Sequence, residues 1–153
     1  QRYGPVAAAI RFSDERNYDG PIALDFKDGG ADWVLSLEAS EALRYSAKLG
    51  KGTVLVTDEI IVPPTNVRRQ DGEYFTIAQL SEHYESKGCR LFVHKFRQLA
   101  EETTSNPLDA NLLALGFLLN KMDGLLDLED FATIADERQL DVMKKGYSLG
   151  SNT

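Results

Sequence analysis

Residues 110–119 read ANLLALGFLL, and eight of these ten side chains are apolar with the glycine left out. A helix of that composition has no polar face to offer to water, so it must be covered on more than one side. Either it is the central core helix, with a sheet and other helices around it, or part of it meets a partner chain. The core reading suits a chain of this length. The partner reading is the strongest functional lead, and its candidate contact residues are Leu112, Leu115, Phe117, Leu118, Leu119 and Met122.

The remaining patterning divides the chain in two. Val6, Ala8, Ile10 and Phe12 fall on one face of a strand, and Ile22, Leu24 and Phe26 on one face of the next. Asp28, Gly29 and Gly30 supply a tight turn into a third strand over 32–37, with Trp33, Leu35 and Leu37 on one side. A helix over 38–49 ends at Gly50, and a longer β-branched strand over 53–62 is stopped by Pro63 and Pro64. An antiparallel meander is the natural reading.

Helical signals dominate from residue 75. Thr76 and Gln79 form a capping-box pattern opening a helix that Gly88 ends. The segment 90–103 fits a helix or an initial strand. Asn106 followed by Pro107 opens the apolar helix, which runs to about Met122 before Gly124. A last helix, capped by Asp127, is expected to end at Gly146, leaving a frayed tail. The expected architecture is therefore one α+β domain over 1–153. Its four-stranded, mainly antiparallel sheet spans 5–66, and its helical layer spans 75–146. The sheet packs on the helix around Ala42 and on the apolar helix around Leu115.

With 153 residues, 42% hydrophobic and 27% charged, the chain can bury a core without staples. A net charge of -7 argues against a general electrostatic grip on nucleic acid or an anionic membrane. No apolar run reaches the roughly 18–20 residues of a membrane span, so a soluble chain is expected. A first residue of Gln1 gives the expectation of a processed amino terminus. The single cysteine, Cys89, excludes an internal disulfide.

Candidate chemistry is sparse. Aligning Gly124 with the central glycine of a calcium loop puts Leu119 and Lys121 where oxygen ligands belong, so 120–130 reads as a connector. His83, Cys89 and His94 are three zinc-type ligands lacking a fourth and lacking close pairing. Their spacing fixes no nucleophile–base geometry either. KLGKGT at 48–53 has glycines two apart, preceded by a helix and followed by a strand, the reverse of a phosphate loop. No metal or cofactor is expected.

Arg68, Arg69, Lys87, Arg90, Lys95 and Arg97 concentrate positive charge on an acidic chain and are the candidate anion or nucleic-acid contacts. The strands of 5–62 followed by LSLEASEALRYSAKL resemble, in pattern, modules such as the Whirly proteins, whose curved antiparallel sheet and helix bind single-stranded nucleic acid. The Lys-Gly-Lys motif of that family is missing from the first strand, which reads AAAIRF. The leading functional expectation is a non-catalytic interaction or assembly subunit, with another chain or larger complex as partner. Single-stranded nucleic-acid binding through the sheet and the 65–72 connector is second. A small hydrolase or transferase using His83 or His94 is third.

Overall fold

The structure, a computed structural model, describes residues 8, 10, 27–64, 67, 74–122 and 124–152. Its sheet is built from β1 (Trp33–Ser36), β2 (Val54–Asp58) and β3 (Arg90–His94), in that spatial order. Both pairings are parallel, with Trp33 opposite Val54 and Val54 opposite Arg90. Among the described residues the expected four-stranded antiparallel sheet is thus replaced by a three-stranded parallel one of α/β type. The expected strands around Val6–Phe12 and Ile22–Phe26 lie outside the described residues.

Parallel neighbours need long crossovers in place of hairpin turns. The first carries a 3-10 helix, Glu41–Lys48, and the second carries α1 (Ile77–Ser86). Both crossovers step across the sheet in one direction, so a shared hand puts both on one face. Ala42, Leu49, Leu80 and Tyr84 pack there against Leu55, Val34 and Leu91.

The chain then changes sides through α2 (Phe96–Thr104), a short 3-10 turn (Pro107–Asp109), α3 (Ala110–Asn120) and α4 (Glu137–Gly150). Phe96, Leu113, Phe117 and Met143 from these elements pack against Val54, Val56, Trp33, Leu35 and Phe92. Ala42 and Leu115 therefore sit on opposite sides of the sheet, where one shared face was expected. All five residues of β2 are buried, because alternate side chains enter different cores.

Local signals decide the element ends. Thr76 and Gln79 form the reciprocal capping box of α1, and Gly88 follows it at φ +81°. The Asn106 side chain accepts from Leu108 N, with Pro107 opening the helical turn. The strand predicted over 53–62 stops at Asp58, before the prolines, because the Asp58 carboxylate leaves the sheet to accept backbone amides.

The last helix also differs from expectation. Asp136, not Asp127, caps it, and it runs through Gly146 to Gly150. Gly146 is a point of close approach. A Cβ there would lie 2.0 Å from Leu113 O, and one on Gly116 would lie 2.0 Å from Met143 O. The missing side chains let α3 and α4 cross backbone to backbone.

Candidate functional site

In open parallel sheets, ligands and partners gather outside the carboxyl ends of the strands. Here that edge carries Ser36 at the end of β1 with Glu38 and Ser40 beyond it, Asp58 at the end of β2 with Glu59 beyond it, and His94 at the end of β3 with Lys95 beyond it. Glu38 organises the first loop. Its carboxylate accepts from Ser40 Oγ at 2.8 Å and Ser40 N at 3.2 Å, and reaches the second loop to accept from Val62 N at 2.9 Å. Tyr74 Oη donates to Ser40 Oγ at 3.2 Å. Below them the buried Tyr84 Oη donates to Ala39 O at 2.7 Å. Burial, then the Glu38 carboxylate, pushes the Tyr84 phenol above its ordinary range, which keeps it a neutral donor.

Asp58 is buried at the end of the central strand. Oδ1 accepts from Ile60 N at 3.0 Å, and Oδ2 from Arg97 N at 2.8 Å, capping α2 from a neighbouring strand. Its register partner is His94. Although an Asp beside a His resembles a catalytic dyad, the carboxylate is already committed to two backbone amides. The imidazole packs instead on Phe117 at 4.5 Å and Phe96 at 5.4 Å between centroids. Burial first, and the Lys121 ammonium second, lower the His94 pKa, so the ring is neutral near pH 7. It lines a shallow depression of about 320 Å³ with Lys95, Gln98, Leu99, Glu102 and Leu149.

The residues singled out from sequence are dispersed. Phe117, Leu118, Leu119 and Met122 are buried within the chain, and Leu112 and Leu115 are half-buried beside the same core. Lys87 and Arg90 lie at the amino end of β3, Lys95 and Arg97 beyond its carboxyl end. At ~3.3 Å per residue a strand of this length separates the two pairs by more than 10 Å. Lys95 pairs with Glu59 at 3.6 Å, and Arg68 and Arg69 lie outside the described residues. Cys89 and His94 are likewise at opposite ends of β3. Burial raises the Cys89 thiol pKa, with Lys87 opposing. His83 pairs with Ser46 Oγ at 3.2 Å, joining α1 to the first crossover.

Among the described residues no group of three His, Cys, Asp or Glu side chains is placed to hold a metal. No helix among them is long and apolar enough to cross a membrane. Sequence reasoning passed over Glu38, Ser40 and Asp58. Their signal was position: polar residues at the point where an apolar strand ends and a crossover begins.

A parallel α/β sheet covered on both faces, with its polar side chains collected at the carboxyl edge, defines the class. Within that class the chain belongs to the pyruvate ferredoxin/flavodoxin oxidoreductase family, which matches residues 1–144. It is 28% identical over 155 residues to the indolepyruvate oxidoreductase subunit IorB of Thermococcus kodakarensis, covering 98% of this chain and 74% of that protein. The Pyrococcus horikoshii subunit of the same name gives the same values. In fold it is similar to the gamma subunit of a keto/oxoacid ferredoxin oxidoreductase from Geobacter sulfurreducens. That similarity has a TM-score of 0.57 and 16% identity, over 82% of this chain and 67% of the other.

Two functional expectations are corrected by these findings. The family is one of oxidoreductases, so the non-catalytic assembly subunit gives way to a component of a catalytic complex. Single-stranded nucleic-acid binding through an open sheet also fails. Among the described residues helices cover both faces of the sheet, leaving no β platform for bases to stack on, and the strands Trp33–Ser36 and Val54–Asp58 of the Whirly-like pattern pair in parallel.

Proposed function

We propose that this chain is a subunit of an oxidoreductase complex that oxidises a 2-oxoacid and passes the electrons to a ferredoxin or flavodoxin. The family match across residues 1–144 carries this reading. The names of the two archaeal relatives favour an aromatic 2-oxoacid of the indolepyruvate type as substrate. The chain's own chemistry is consistent with a shared task. An iron–sulfur cluster takes about four cysteine thiolates, and this chain has only Cys89, so such a cluster would rest on other polypeptide. Glu38 and Asp58 act here as loop and helix organisers. Leu112 and Leu115, the half-buried members of α3 singled out earlier, are the side chains this helix offers to a neighbouring subunit.

The test is to purify the complex from its native source through a tag on this chain. Reduction of a viologen dye is then followed with indolepyruvate, phenylpyruvate, pyruvate and 2-oxoglutarate in turn. Reduction dependent on a 2-oxoacid, fastest with an aromatic one, is expected. A stable multisubunit complex that reduces dye with none of the four would refute the assignment.

A further inference from the structure

Two basic side chains from different elements meet at one aromatic ring beneath the carboxyl edge. His94, the last residue of β3, lies 4.5 Å from the Phe117 centroid. Lys121, the C-cap of α3, places Nζ 5.3 Å from the same centroid and 4.8 Å from that of Phe92. An ammonium over aromatic faces is stabilised by the ring quadrupoles. The same Nζ also donates to Gly150 O at 2.7 Å. It therefore ties the last turn of α4, where the aligned carbonyl dipoles concentrate negative potential, to the end of α3.

We infer that His94 and Lys121 form a proton-sensitive latch, in which protonation of His94 weakens the hold of Lys121 on the carboxyl end of α4. With the ring neutral, the aromatic pocket holds one cation. A second positive charge at the same ring repels the first, and Lys121 can move outward into water because it is only partly buried.

Other charges near His94 do not cancel this effect. Asp58, its register partner, already accepts from Ile60 N and Arg97 N. Glu59 N donates to His94 O, while its carboxylate pairs with Lys95. Glu102, across the depression, accepts from Gln98. From α4 the nearest lining side chain is the apolar Leu149. Lys121 is thus the cation that responds to His94, and burial of the ring adds to the same preference for the neutral form.

The experiment follows the His94 ring by NMR from pH 4.5 to 8 in the full chain and in Lys121→Met. Wild type should titrate below the free-histidine value, and Lys121→Met should titrate at a higher pH than wild type. Amide exchange at Ser151 and Asn152, corrected for its intrinsic pH dependence, should lose protection in wild type as His94 protonates. That loss should be absent in His94→Gln. Lys121→Gln, which keeps a donor for Gly150 O without the charge, serves if the methionine variant does not fold. An unchanged His94 titration in the folded variant would overturn the latch, as would the same loss of protection in His94→Gln. A wild-type His94 titrating at or above the free value overturns it without any variant.

Discussion

The crossing of α3 and α4 makes the sharpest stability prediction, because two glycines stand there where alanine would ordinarily favour a helix. Replacing Gly116 or Gly146 by Ala improves intrinsic helix propensity by about 1 kcal/mol. Each new methyl, however, would sit 2.0 Å from a carbonyl oxygen of the facing helix, Met143 O or Leu113 O. Those atoms belong to rigid helical backbone, so the helices must part by at least ~1 Å, in the range where overpacking costs about 1–3 kcal/mol and sometimes more. Parting them also loosens the cores around Leu113, Phe117 and Met143. Steric cost wins over propensity, and each single variant should be destabilised by about 1–3 kcal/mol, or roughly 2–10 °C in Tm for a chain of this size. One separation relieves both clashes, so the double variant should cost less than the sum of the singles. Gly150→Ala is the internal control. Its methyl meets the Asn120 side chain, Cβ included, at 2.7 Å, a milder contact than 2.0 Å against a backbone carbonyl, so it should cost less than either of the others. Urea unfolding followed by circular dichroism measures all four. Gly116→Ala and Gly146→Ala proteins as stable as wild type would refute the reading of backbone contact.

Three further outcomes follow from the carboxyl edge. Asp58→Ala removes the cap of α2 and should cost about 1–3 kcal/mol in urea unfolding, more than Asp58→Asn, which keeps one acceptor oxygen. Tyr84→Phe leaves the buried Ala39 O without its donor and should cost about 1–3 kcal/mol. Because folding raises the Tyr84 pKa, its contribution is complete below the ordinary phenol value of 10.0 and declines above it; its tyrosinate absorbance should appear only on unfolding. His94 has the opposite sign of shift: the unfolded chain binds its proton more tightly. Stability should therefore fall as pH drops below the ordinary histidine value of 6.5, and His94→Gln should flatten that part of the urea-midpoint profile.

Punctuation was legible in the sequence where one residue has one local job. Thr76 with Gln79, Gly88, and Asn106 with Pro107 each act on backbone within a few residues, and each does so in the structure. Strand direction was harder to read, because alternation of side chains is the same in parallel and antiparallel neighbours. The run VLVTD was the overlooked clue: a strand buried on both faces is typical of a parallel sheet's centre. Gly146 misled in another way, since a glycine that ends a helix and one that admits a neighbouring helix look alike in one dimension. Glu38, Ser40 and Asp58 went unread because they join His94 at the carboxyl edge only after the crossovers bring the strands side by side.

The reach of Glu38 has one more implication. By gripping Ser40 and Val62 together, beside the hydrogen bond from Ala39 N to Ile60 O, one carboxylate helps the segments leaving two different strands behave as one piece. An aspartate there, one methylene shorter, would be unable to span both and would leave the backbone bond to hold the two rims together. Change in either segment is thus constrained by the other, and whatever docks against this border meets a surface whose halves keep step.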